Sequence, residues 1–165
     1  MKKGQFYLFT SLLLIILVVG IIPKSVQIYK SQNVFDELID NFNEEIGQVI
    51  NNALYNQENM TEMLDKFSTR FINYARQRDA NFGYVLIMRN NNETIIINTL
   101  KEQITIDAGT IINISQGDYT VVDSDAVVVY VDDVAYNYNL EDAVDVMVLF
   151  KSSKGEDIYI KEVKN

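Results

Sequence analysis

The sequence predicts an α+β chain: an N-terminal transmembrane helix, amphipathic helices, and then an antiparallel β-sandwich or curled meander sheet. Three observations predict it. No charged residue occurs from Phe6 to Ile22, apolar residues between Val26 and Arg78 recur at spacings of three and four, and after Gly83 the period changes to two. The boundaries that follow are a leader at residues 1–5, a membrane segment at 6–23, a helical segment at 24–80 and a β domain at 81–165.

Thirteen of the 17 residues from Phe6 to Ile22 are Leu, Ile, Val or Phe. Each favours insertion by roughly 0.3 to 0.6 kcal/mol at the centre of a membrane helix, so the run as a whole is worth about 4 to 8 kcal/mol. At roughly 1.5 Å per residue it spans about 26 Å, just enough for the hydrocarbon core. Pro23 ends or kinks this helix. Lys2, Lys3 and the amino terminus precede the run and no acid occurs before Asp36, which orients the N-terminus to the cytoplasm and everything after Pro23 to the outside.

Lys2-Lys3-Gly4-Gln5 followed at once by a hydrophobic helix resembles the class III signal of archaeal type IV pilins and related single-pass surface proteins. The resemblance implies cleavage after Gly4 by a prepilin-type peptidase, leaving Gln5 as the new amino terminus and the apolar helix attached. Phe9 stands where that family commonly carries an acid, and Tyr7 where it often has serine. The layout is also similar to that of uncharacterised archaeal surface proteins with a helical segment containing Phe71-Ile72-Asn73-Tyr74-Ala75 and a β-rich end.

Between the membrane segment and the β domain, Leu38, Phe42, Ile46, Val49 and Ala53 form one apolar stripe, with Asp36, Glu37, Asp40 and Glu44 on other faces. Asn51 to Glu58 is polar and reads as a break, and Asn59 with Glu62 three residues on reads as the start of a second helix. Its packing face is expected to be Met63, Phe67, Phe71 and Tyr74/Ala75. Alternation then predicts strands over Tyr84–Arg89, Thr94–Leu100, Gln103–Asp107, Thr110–Ile114, Tyr119–Val122, Ala126–Val131, Val134–Leu140, Val144–Lys151 and Asp157–Val163. Asn90-Asn91-Asn92, Asp132-Asp133 and Ser152-Ser153-Lys154-Gly155 supply turns. Ala126–Val131 is apolar at every position and is expected to be a central strand covered on both faces.

Composition removes whole classes of chemistry. The chain has no cysteine and no histidine, which excludes disulfides, thiol nucleophiles, Cys/His zinc sites and imidazole bases. All 23 acids lie after Pro23 with 12 of the 14 bases, so that part carries a net charge of −11 and repels nucleic acid. No cofactor is implied. Asp118, Asp123-Ser124-Asp125 and Asp132-Asp133 are oxygen-rich, but their spacing is not that of a calcium loop and they read as solvated turn acids, so no metal is expected. No nucleophile elbow, Ser-x-x-Lys pair or phosphate-cradling glycine loop is present. Asn59, Asn92 and Asn113 open glycosylation sequons, and Asn92 is best placed because it sits in a predicted turn.

These readings converge on a membrane-anchored, extracellular, non-enzymatic interaction or structural protein with a pilin-like start. The expected partners are the lipid bilayer, other envelope or surface proteins and further copies of the chain. The alternative is a subunit of a pilus-like filament, with an extracytoplasmic sensor or hydrolase behind it.

Overall fold

The structure, a computed structural model, describes residues 32–164. The chain divides into two compact units between Val34 and Phe35, and the second is described here. The expected membrane segment Phe6–Ile22, with Lys2, Lys3, Gly4, Gln5 and Pro23, lies outside the described residues. Among the described residues no helix is long and apolar enough to cross a membrane.

Two helices and two antiparallel sheets make up this part. Helix α1 covers residues 32–56 and α2 covers Met60–Arg78. The strands are β1 Gly83–Asn90, β2 Glu93–Asn98, β3 Ile104–Asp107, β4 Ile111–Ile114, β5 Tyr119–Val122, β6 Ala126–Val131, β7 Val134–Asn139, β8 Val144–Lys154 and β9 Asp157–Lys164. They pair in the orders β5-β2-β1-β8-β9 and β4-β3-β6-β7. The arrangement is a sandwich and not a simple meander, because β1 pairs with β8, β2 with β5 and β3 with β6 across long stretches of chain.

Strand alternation sorts the apolar residues into two cores. Val85, Ile87, Ile96 and Leu149 of the five-stranded sheet meet Ile104, Ile106, Val127, Val129 and Val131 of the four-stranded sheet. On the opposite face of the larger sheet, Tyr84, Leu86, Met88, Ile95, Ile97, Val148 and Phe150 are buried, and the helices cover them. The strands buried on both faces are therefore β1 and its neighbour β2. By contrast β6, expected to be covered on both faces, is central in its sheet but buries only Val127, Val129 and Val131, while Tyr130 on its outer face is 40 % exposed. Helices lie against only one of the two sheets, and a run of valines does not reveal which.

Helix α1 buries Phe35, Leu38, Ile39, Phe42, Ile46, Ile50 and Ala53. Four of these, at roughly 1.5 to 3 kcal/mol each for full burial, outweigh the marginal stability of an isolated helix. The stripe carries the helix through Asn51 and Asn52, which the polarity of that stretch had marked as a break, because Ala53 still docks. It ends at Gln57, whose φ is 55°. Glu58 N–H reaches the Ala53 carbonyl at 2.9 Å and Gln57 N–H reaches Leu54 at 3.4 Å, the paired bonds of a left-handed C-terminal cap. A side chain is strained there, so Gln57→Gly is expected to raise stability by about 0.5 to 1 kcal/mol in urea unfolding.

Asn59 caps α2 as expected, its Oδ1 accepting from Glu62 N–H at 3.1 Å. The Glu62 carboxylate pairs with Lys66 on the exposed side. The buried face of α2 is Met60, Leu64, Phe67, Ser68, Phe71, Ile72 and Ala75, so it is turned away from the expected Met63 and Tyr74, and Tyr74 is 40 % exposed. At the end of α2, Arg76 donates to the carbonyls of Phe82 and Thr99 at 3.2 and 2.6 Å. Gly83 is fixed by space: a Cβ there would lie 3.0 Å from Leu100 Cα. The β6–β7 hairpin turns on Asp132 and Asp133, both at positive φ, the pairing that a two-residue turn demands.

Candidate functional site

Two surfaces stand out from the packed interior. The first is a groove of about 770 Å³ along α1 and α2. Val49, Met63, Phe67 and Phe71 give it an apolar floor, while Glu45, Glu58, Lys66 and Arg70 stand along it. The Lys66 hydrogen bond, with its charge, holds the Glu62 carboxyl below the usual range. Nearby, Arg78 takes Glu37 in a two-pronged pair at 2.9 and 2.7 Å and lowers its pKa, tying the end of α2 to the start of α1. Both pairs are exposed and add little stability.

The second surface is the side of the sandwich where β7 and β9 form neighbouring outer strands. Two contacts join the sheets there. The Tyr138 hydroxyl donates to Glu162 at 2.9 Å, and the Lys151 ammonium sits between Glu102 and Asp132. Burial works to lower the Lys151 pKa, but the hydrogen bonds it donates to Asp132 and Glu102 outweigh it and the net shift is upward. Val134, Ile158 and Ile160 are about half exposed on this side, at 50, 58 and 45 %.

Burial raises the pKa of Tyr84 well above its ordinary value, and burial followed by the Glu162 contact does the same for Tyr138. In both, as in Lys151, the folded chain keeps a proton at a pH where the unfolded chain has released it. Stability is therefore intact below about pH 10 and falls as pH rises beyond it. Urea midpoints are expected to drop steeply above about pH 10, and Tyr84→Phe to soften that drop.

The residues singled out from sequence do not gather. Asn59 caps α2, and Asn113 lies exposed on β4, accepting from Thr105 at 2.8 Å. Asn92 is exposed at the tip of the β1–β2 hairpin, while the Thr94 of its sequon is buried with its hydroxyl on the Ser124 carbonyl at 2.5 Å. Among the described residues no three acids come together in a way that could hold a metal ion. The buried acid is Asp145, 2 % exposed. Its Oδ2 lies 3.4 Å from Lys164 Nζ but makes no hydrogen bond, so the contact is a charge pair without donor alignment.

The residues that sequence reasoning missed are structural. Asn98 and Thr99 join the larger sheet to the loops around it. Thr99 Oγ1 accepts from Tyr84 N–H and donates to the Tyr84 carbonyl, both at 2.8 Å, extending the β1–β2 ladder through a side chain. Beside them, Ser68, Arg76 and Thr99 wall a cavity of about 50 Å³ under α2.

The class so defined is an antiparallel β-sandwich with two helices laid on one sheet, a domain whose distinctive features are surfaces. No protein-family model, curated protein or solved structure matches the chain.

Proposed function

We propose that the chain is a membrane-anchored surface protein whose domain works outside the cell as a non-enzymatic interaction or structural module behind a pilin-like, processed N-terminus. The observation that carries this reading is the uncharged run Phe6–Ile22 behind Lys2-Lys3-Gly4-Gln5. The domain is compatible with it: both of its cores are closed within one unit, it is strongly acidic, and its acids are dispersed over helices, strands and turns. A surface of that charge repels nucleic acid and favours protein partners. Asn92 is the sequon whose acceptor stands freest in a turn, and it is the residue expected to carry a glycan if the host glycosylates.

The test is extraction and intact mass of the native protein. The expected result is release from membranes only by detergent, with a mature terminus at Gln5 and the domain open to protease on whole cells. Recovery of the full-length chain from the soluble fraction would overturn the anchor. The same Lys-Gly-Gln start favours one second reading, a filament subunit, and material sheared from cells and viewed by electron microscopy separates the two.

A further inference from the structure

The geometry points to β9 as a self-pairing edge, through which two copies of the chain join their five-stranded sheets into one continuous sheet. The inference does not depend on the membrane reading.

Among the described strands β9 is the outermost of its sheet and pairs only with β8. It runs from Asp157 to Lys164 without glycine or proline, whereas the opposite edge, β5, covers only Tyr119–Val122. Exposed edges of this kind are normally guarded by charge, by proline or by a bulge. Here Lys161 pairs with Asp36 and Glu162 accepts from Tyr138, within the strand's own domain, while Lys164 lies 3.4 Å from Asp145 without a hydrogen bond and stays 55 % exposed. Ile158 and Ile160 stand exposed among these charged side chains, and the outer edge presents a row of backbone donors and acceptors that no described strand pairs.

Symmetry selects the register. An antiparallel pair of identical edges requires a twofold axis perpendicular to the sheet, which keeps each face on its own side. Opposed residues must then share a face, so the numbers of an opposed pair add to an even sum. Of the two registers with the longest overlap, one sets Lys161 against the partner copy's Lys161 and is repulsive. The other places Ile160 on the axis against its own copy. It also sets Tyr159 beside Lys161, and Glu156 of the turn beside Lys164, reciprocally across the axis. Among the described residues Glu156 has no partner, so the acidic start of one strand meets the basic end of the other. A contact confined to one edge is small for a stable complex, so the association is weak and is best captured covalently.

The absence of cysteine makes that capture specific. In this register the two Cα atoms at residue 160 stand about 4.5 to 5.5 Å apart, inside the range a disulfide accepts. Those at residue 158 are about 14 Å apart, four residues out of step. The full chain in mild detergent at about 0.15 M salt, where repulsion between acidic domains is screened beyond about 8 Å, is oxidised as Ile160→Cys, Ile158→Cys and, as a collision control on β4, Ile111→Cys. Circular dichroism verifies that each variant is folded. The expected result is a disulfide dimer from Ile160→Cys forming at least about tenfold faster than from either other variant. Equal rates, or no dimer from Ile160→Cys, would overturn the inference.

Discussion

Replacing Asn98 by alanine is expected to lower the unfolding free energy by about 3 to 6 kcal/mol, read from urea or thermal melts. Asn98 is completely buried at the end of β2. Its Nδ2 donates to the carbonyls of Glu102 and Ile114 at 2.9 and 3.0 Å, and its Oδ1 accepts from Leu100 N–H at 2.9 Å. The side chain thus holds the loop after β2 and the end of β4, and through β4 it fastens the four-stranded sheet to the five-stranded one. Alanine keeps the backbone bonds from Asn98 N–H to Asp118 and from Gly117 N–H to the Asn98 carbonyl. It removes the other three and leaves Leu100 N–H and the Ile114 carbonyl buried without them. Each such orphan costs about 1 to 3 kcal/mol, more than the lost packing of one amide. Asn98→Asp is the sharper variant, because it turns a carboxylate oxygen toward two carbonyls and should cost at least as much at neutral pH. If Asn98→Ala costs less than about 1 kcal/mol, the residue is a filler and not a junction.

That residue shows where reading from sequence stops. Asn98 fell inside a predicted strand, Thr94–Leu100, and its parity with Ile96 places it on the inner face. A polar side chain at an inner position was the available signal, but alternation alone does not tell a loop clamp from an interruption. The strands themselves were legible, because each of the nine apolar or alternating runs is bounded by turn residues, and Asn91, Asp132-Asp133 and Gly155 adopt the positive φ their turns require. Strand order was not. The runs Tyr84–Met88 and Ala126–Val131 are equally apolar, yet only the first has helices on one face and a sheet on the other. Periodicity reports which way a side chain points and not what it meets, and β1 meets β8 across more than half the β domain. The same limit rotated α2, where Met63 and Tyr74 keep helical spacing with Phe67 and Phe71 but line the groove while Leu64 and Ile72 dock. The β7 and β9 surface was illegible for the further reason that both strands read as ordinary alternation until their outer position was known.

The second large effect is expected at Phe42, where truncation to alanine should cost about 3 to 5 kcal/mol. The ring is completely buried, with centroids 5.2 Å from Phe67, 5.1 Å from Phe71, 4.7 Å from Tyr84 and 5.0 Å from Phe150. Those partners stand on α2, β1 and β8, so one side chain of α1 touches the other helix and two strands of the helix-covered core. Edge-on ring pairs add about 0.5 to 1.5 kcal/mol each beyond area, and the planes of Phe42 and Phe71 meet at 86°. Collapse cannot fill the void, because its walls belong to a helix and two paired strands that cannot all move inward. Phe42→Leu, which keeps most of the volume, should therefore recover more than half of the loss, and Tyr74→Ala on the exposed side of the same layer should cost under about 1 kcal/mol. If Phe42→Ala proves equally mild, α1 is not docked on the sheet, and the groove beside it would have no fixed wall.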